Sequence, residues 1–211
     1  MSNFTPTTRN VTRLFRKATL EQIVEGAAWY SNAYQIASTF ASRYNVPVSV
    51  AAGVIAAVSP LNSWGANVRL AERIIAAGGL DAGYLKVGLD KAKRILKGES
   101  VLDVLKSDKV SNFYLSIITA GAEGVCVDRH AFSLAVNHRF VEGNIPGLSG
   151  KRYAATAECY TRAAAILSKE YGMPISAAQV QSVTWVLWKN LYWAEGAFDL
   201  TESEKAELVN A

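Results

Sequence analysis

The stretch VAAGVIAAV at residues 50–58 decides the fold class, because it contains no polar side chain. Pro47 and Ser49 stand at its start and Pro60 follows it, and these residue types are typical of helix ends. A helix that is apolar on every side has no face to turn towards solvent. The stretch therefore predicts a buried helix at the centre of the fold.

The sequence on both sides of this helix places apolar residues at helical spacing. Residues 20–44, for example, carry Ile23, Ala27 and Tyr30 at a period near ~3.6 residues. No strand pair and no internal repeat is evident, so we predict an all-α fold. The acidic segment from Asp199 onward predicts a frayed tail. Further helices are predicted at residues 64–77, 84–97, 102–105, 108–119, 129–140, 152–171 and 177–193, with a short extended segment at 125–127.

The composition is that of a folded, basic protein. The 211 residues are half hydrophobic, which allows one sizeable core or two small helical lobes. The net charge of +4 suits a polyanionic partner such as DNA, although a soluble basic domain has the same charge.

The two cysteines and the absence of long apolar runs exclude several classes. Cys126 and Cys159 do not have the spacing of a zinc or iron–sulfur site, and two buried thiols in a reducing compartment are expected. No segment is typical of a signal peptide or a membrane span. We therefore expect a cytoplasmic monomer that is not secreted, does not enter the membrane and requires no metal or cofactor.

Lys109 and Asp128 are the candidate catalytic residues, and they lie nineteen positions apart (128 − 109 = 19). An amine can attack the sugar carbon of a nucleotide, and a carboxylate can stabilise the positive charge that develops on the sugar. Each residue also has a simpler explanation. Asp128 precedes a predicted helix and is a good N-cap, and a lysine near a helix start is usually solvated.

Three segments resemble the helix-hairpin-helix DNA glycosylases, in the order that this family has them. Residues 109–113 and 127–130 read KVSNF and VDRH, similar to the catalytic lysine helix and the Val-Asp-x-His turn of the 8-oxoguanine glycosylase branch. Residues 87–95, VGLDKAKRI, and residues 55–64, IAAVSPLNSW, resemble two upstream segments of the same family.

This resemblance implies a two-lobed all-α domain with a cleft between the lobes. The single glycosylase-like unit of residues 1–211 would have an internal lobe at residues 84–140. Residues 1–83 and 141–211 would form the other lobe. The implied function is a DNA glycosylase that cleaves the N-glycosidic bond of a flipped damaged or modified base, with lyase activity if an imine forms.

The resemblance also implies roles for individual residues. Lys109 would be the Schiff-base nucleophile, and Asp128 would be the carboxylate of the family pattern. Asn62 and Ser63 would contact the extruded base or the opposite strand, and Trp64 would stack on a base or enter the duplex. The alternatives are helix capping for Asn62 and Ser63 and core packing for Trp64.

Other candidate substrate-binding residues lie nearer the C-terminus. Arg129 and His130 follow Asp128 and could hold a phosphate, although a structural histidine is the alternative. Gln181 and Trp185 stand on one face of a predicted helix and could line a base pocket, although such a face is usually core. The basic helical face formed by Arg9, Arg13, Arg16 and Lys17 is either solvated or contacts phosphate.

The hairpin is where the chain departs from the family. Residues 104–108 read VLKSD where the family has Leu-Pro-Gly-x-Gly, so close approach of the backbone to a phosphate is not expected here. This departure favours an alternative, a glycosylase-like enzyme of viral DNA base hypermodification. A third possibility is a non-enzymatic DNA-binding helical module.

Overall fold

The computed structural model describes residues 4–140 and 144–192, apart from the side chains of residues 190–192. All the regular secondary structure in these residues is helical, which confirms the predicted all-α class. The predicted tail beyond Asp199 lies outside the described residues. The helices are α1 (Thr8–Phe15), α2 (Leu20–Tyr44), α3 (Val48–Ala57), α4 (Trp64–Ala76), α5 (Lys86–Leu96), α6 (Val101–Val104), α7 (Asp108–Ile118), α8 (Arg129–Ala135), α9 (Gly150–Tyr171) and α10 (Ala177–Tyr192).

Most helix bounds agree with the sequence prediction to within two residues, but the prediction of a helix over residues 129–140 was wrong at its end. Helix α8 ends at Ala135, and Asn137 then adopts a left-handed backbone with φ 51°. The amide of His138 donates to the carbonyl of Ser133 at 2.8 Å, which closes the helix end. Asparagine is one of the few residues that adopts this conformation readily, and the prediction overlooked that signal.

One compact unit is built around α3, and its described part is residues 31–120. Helix α3 contacts α4, α5, α6 and α7. Every residue from Ala51 to Val58 is buried, so the predicted burial of this helix is confirmed. A Cβ atom added to Gly53 would lie 2.9 Å from Cγ1 of Val101, so the absence of a side chain permits the close packing of α6.

The second compact unit contains residues 4–30 and the described residues from 121 onward. Helix α1, the first part of α2, α8, α9 and α10 form it, with Phe15, Phe132 and Tyr160 in its core. A Cβ atom on Gly26 of α2 would lie only 2.4 Å from Cα of Val183 of α10. The two helix backbones therefore touch at this glycine.

This division differs from the one predicted from the sequence. The predicted internal lobe of residues 84–140 contained both Lys109 and Asp128. In the structure Lys109 belongs to the unit of α3, because α7 packs on α3. Asp128 belongs to the other unit, because α8 packs on α1, α9 and α10.

Two of the predictions drawn from composition concern side chains and helices that the structure describes. Cys126 and Cys159 are both buried and neither forms a disulfide, as predicted. No helix within residues 4–140 and 144–192 is both long enough and apolar enough to cross a membrane.

Candidate functional site around Asp128

The carboxylate of Asp128 is held by the start of α8. Its Oδ1 atom accepts hydrogen bonds from the backbone amides of His130 at 2.9 Å and Ala131 at 2.8 Å. This is the N-cap predicted from the sequence. Backbone amides at a helix start fix the position of a carboxylate that accepts from them. The cap and a role as a fixed negative charge are therefore compatible.

The second carboxylate oxygen is bound to a distant tryptophan. The indole Nε1 of Trp185 in α10 donates to Oδ2 of Asp128 at 3.0 Å. Both side chains are half-buried, so the pair lies where part of it meets solvent. Three donors thus fill three of the roughly four lone-pair positions of the carboxylate.

The segment that leads into Asp128 is fixed by a tyrosine instead of a neighbouring strand. The hydroxyl of Tyr153 donates to the carbonyl of Val125 at 2.7 Å and accepts from the amide of Val127 at 3.1 Å. These two bonds pair backbone polar groups of a buried extended segment, which has no neighbouring strand among the described residues. Asp128 is therefore positioned from both sides along the chain.

A second buried tyrosine lies below the start of α8. The hydroxyl of Tyr160 donates to the carbonyl of Ala131 at 2.9 Å. Burial raises the pKa of Tyr160, and the nearby charge of Asp128 raises it further. Tyr160 therefore stays protonated and neutral at any physiological pH.

Basic side chains flank the Asp128–Trp185 pair. The Nζ atom of Lys189 lies 5.0 Å from the centre of the Trp185 ring, one helical turn further along α10. Next to Asp128 in the chain, Nε of the exposed Arg129 donates to Nε2 of His130 at 3.3 Å. The His130 ring is nearly buried and meets the Trp185 ring edge to face, with centroids 6.4 Å apart.

Gln181 is connected to the same tryptophan through two aromatic residues of α2. Its Oε1 accepts a hydrogen bond of 2.8 Å from the hydroxyl of Tyr30. Tyr30 packs on Trp29, and Trp29 in turn packs on Trp185 with centroids 6.3 Å apart. Gln181 is 5% exposed, so its side chain belongs to the core of this unit.

The other catalytic candidate, Lys109, lies in the first turn of α7 and is half-buried. Ser107 stands at the N-cap of α7 but makes no capping hydrogen bond through its side chain. The backbone of Leu105 and Ser107 has φ angles of −91° and −82°, not the left-handed values that hairpin glycines adopt.

Asn62 and Ser63 serve helix ends in the structure. The Nδ2 atom of Asn62 donates to the carbonyl of Val58 at 2.9 Å, at the end of α3. Ser63 is the N-cap of α4 and accepts from the amide of Ala66 at 3.4 Å. The capping alternative is confirmed for Ser63, whereas Asn62 bonds to the end of α3 and does not cap α4; contact of either residue with DNA stays a prediction.

Three neighbouring residues in this part of the chain have distinctive surroundings. Trp64 packs edge to face against Phe113 of α7, with centroids 6.3 Å apart. Leu61 is 91% exposed and has a left-handed backbone with φ 63°. Asn67 is 2% exposed, and neither atom of its amide has a hydrogen-bond partner among the described residues. A buried polar group without a partner costs about 1–3 kcal/mol, so Asn67 is a candidate ligand contact.

The predicted basic face of α1 is partly neutralised. Arg16 forms a two-pronged ion pair with Glu170 of α9, with the shortest contact at 2.7 Å. Arg13 donates to the side chain of Asn137 at 2.7 Å. These contacts bind α1 to its own unit. Among the described residues, no group of three or more His, Cys, Asp or Glu side chains could hold a metal ion.

Comparison with known proteins places the chain in a family. It matches a family of unknown function, DUF7178, over residues 2–191. The chain belongs to DUF7178. No curated protein matches it, and no solved structure matches it either. The region that matches DUF7178 includes all the candidate residues described above.

The structure brings together part of the predicted site of this DUF7178 member. Asp128, Arg129, His130, Gln181 and Trp185 lie in one compact unit, and Trp185 bonds directly to Asp128. The other predicted residues, Lys109, Asn62, Ser63 and Trp64, lie in the other unit.

The sequence interpretation missed several residues around these positions. It did not single out Lys189, although this lysine follows Trp185 at the helical spacing of four residues. It also missed the exposed Leu61 and the buried Asn67. Leu61 is the third residue of the turn Ser59–Asn62, a position that favours glycine or asparagine when φ is positive. A leucine at this position was therefore a signal that the sequence offered.

Proposed function

We propose that this protein is a DNA glycosylase that cleaves the N-glycosidic bond of a flipped damaged or modified base. The observation that carries the proposal is the carboxylate of Asp128, which is fixed by two amides and an indole in a half-buried position. The resemblance of residues 109–113 and 127–130 to helix-hairpin-helix glycosylases supports the same reaction.

Asp128 would stabilise the sugar while the bond to the base breaks. The transition state of this reaction carries positive charge on the sugar ring. A carboxylate that is already oriented needs no rearrangement to meet this charge, and electrostatic effects of this kind contribute strongly to catalysis. Because three donors occupy three of the roughly four lone-pair positions of the carboxylate, one position remains.

Lys109 would provide the nucleophile in its neutral form. Its nitrogen forms a bond to C1′, while the C1′–N bond to the base breaks and the base leaves with the electron pair and takes up a proton. The C1′–O4′ bond of the sugar then breaks, O4′ takes up the remaining proton of the Lys109 nitrogen, and an imine forms. Loss of a proton from C2′ then expels the 3′ phosphate. This mechanism requires the amine of Lys109 and the carboxylate of Asp128 to reach the same sugar.

Leu61 supports a role in handling a flipped nucleotide. A left-handed backbone at a residue other than glycine or asparagine costs about 1–2 kcal/mol, and full exposure of a leucine has no structural benefit. Apolar side chains that protrude in this way are used to separate stacked bases.

The test is a screen of oligonucleotides that carry different damaged or modified bases. Lys109→Gln and Asp128→Asn should lower the rate of base release by about 100-fold or more, with folding retained. Lys106→Gln and Asp103→Asn make the same charge changes in an exposed ion pair and serve as controls. Equal product from the wild type and all four variants would remove the proposal.

A second candidate function is processing of a hypermodified base in viral DNA. The observation that favours it is the turn between α6 and α7, where the backbone lacks left-handed residues that would bring its amides close to a phosphate. Borohydride trapping distinguishes the two functions. A covalent adduct between DNA and Lys109 supports the glycosylase with lyase activity, whereas turnover of a modified pyrimidine without an adduct supports the second function.

A non-enzymatic DNA-binding module is the remaining alternative, and the same variants address it. Asp128 would then have only a structural role, so Asp128→Asn should change the free energy of unfolding through loss of the bond from Trp185 and leave DNA binding as it is.

A further inference from the structure

We propose that Lys189 and Arg129 bind the phosphates on either side of the sugar that faces Asp128. This inference rests on the proposed function, because it takes a DNA strand as the ligand. It assigns the phosphate contacts to the unit that contains Asp128, in place of the hairpin.

The first feature of this site is the ammonium group of Lys189. Its recorded contact is with the face of the Trp185 ring, 5.0 Å from Nζ to the centroid, and it has no hydrogen bond or ion pair among the described residues. A cation held on an aromatic face keeps its N–H donors available, whereas an ion pair would occupy them. Lys189 is therefore an oriented ammonium group that still has donors for an anion.

The second feature is the position of this ammonium group relative to Asp128. The same indole that lies under Lys189 donates to Oδ2 of Asp128 at 3.0 Å. The plane of the ring is thereby fixed with respect to the carboxylate, and the ring in turn orients Lys189. Arg129 is exposed and next to Asp128 in the chain, and its Nε donates to Nε2 of His130.

The third feature is the electrostatic repulsion between the Asp128 carboxylate and the phosphates of a DNA strand. A nucleotide sugar has a phosphate on each side, so a carboxylate directed at the sugar repels the strand that it has to bind. Lys189 offsets part of this repulsion without neutralising the carboxylate, since it does not form an ion pair with Asp128, and Arg129 adds a second positive charge next to Asp128 in the chain. Phosphate binding therefore explains the presence of two basic residues near Asp128, which solvation alone does not explain.

The experiment measures the salt dependence of binding to an uncleavable probe, a 20-mer duplex that contains a tetrahydrofuran abasic analogue. In Lys189→Gln the slope of log K against log salt should be smaller by about 0.9, the loss of one phosphate contact. Between 50 and 200 mM salt, the ratio of the wild-type and variant affinities then changes by about 3.5-fold. Lys189→Arg should keep the wild-type slope.

Lys169→Gln is the matched control, because it removes one charge from an exposed lysine of α9 in the same unit. An equal slope for wild type, Lys189→Gln and Lys169→Gln would overturn the inference, and so would an absence of DNA binding by the wild type. The outcome is separate from that of the proposed function. Base release without a change in slope rejects the phosphate site alone, and the expected slope change without base release from any substrate rejects the glycosylase alone.

Discussion

The hydrogen bond between Trp185 and Asp128 can be measured by a double-mutant cycle. In Asp128→Asn the amide oxygen can still accept from the two amides of α8, so the cap is kept. The new amide nitrogen would instead face the indole N–H, and two donors cannot bond to each other. Trp185→Phe removes the indole donor and leaves an aromatic ring.

The expected magnitude follows from the contact. A hydrogen bond to a charged group contributes about 1.5–3 kcal/mol, and half-burial of both side chains favours the lower end of that range. Asp128→Asn alone should therefore cost about 2 kcal/mol, and less than about 1 kcal/mol in the Trp185→Phe background. The coupling energy should be about 1.5 kcal/mol.

The assay is urea unfolding followed by far-ultraviolet circular dichroism, because the loss of a tryptophan alters fluorescence. Equal m values across the cycle show that the variants unfold in the same way. Trp188→Phe provides the control cycle, since Trp188 lies on α10 and its indole Nε1 donates no hydrogen bond among the described residues. A coupling energy below about 0.5 kcal/mol for Asp128 and Trp185 would refute the reasoning.

Three further predictions concern positions elsewhere in the fold. Gly26→Ala should lower the free energy of unfolding by about 1–3 kcal/mol in urea, because the new Cβ would lie 2.4 Å from Cα of Val183; an unchanged midpoint contradicts the close approach. The raised pKa of Tyr160 stabilises the fold at neutral pH, and this contribution is lost above about pH 10, where the unfolded chain releases the proton first. Above that pH, the difference in free energy of unfolding between wild type and Tyr160→Phe should therefore shrink by up to about 1.4 kcal/mol per pH unit. A difference that stays constant with pH would argue against the raised pKa of Tyr160. Leu61→Gly should leave the melting temperature unchanged or raise it, since φ 63° suits glycine, while it weakens binding to duplex DNA; a clear loss of stability would assign Leu61 a structural role.

The sequence was sufficient to predict features that depend on local patterns. Helix α2 begins at Leu20 and ends at Tyr44 as predicted, because a regular apolar period marks both limits. The burial of α3 followed from the absence of a polar face, and the caps at Ser63 and Asp128 followed from the residue types that precede a helix.

The contacts that build the surroundings of Asp128 could not be predicted in the same way. Trp185 is 57 positions from Asp128, and Tyr30 is 151 positions from Gln181. Apolar periodicity shows that each residue lies on a buried face, but it does not show which helix that face meets. For the same reason the sequence assigned Asp128 to the lobe of Lys109, whereas the packing of α8 assigns it to the other unit.

The central claim, that Lys109 attacks a sugar whose charge Asp128 stabilises, is tested most directly by borohydride reduction followed by peptide mapping. The oligonucleotide should contain the base that gives product in the substrate screen. We expect a reduced adduct on the peptide that contains Lys109, and a much lower yield in Asp128→Asn. An adduct on a different amine, or an equal yield in Asp128→Asn, would contradict this account.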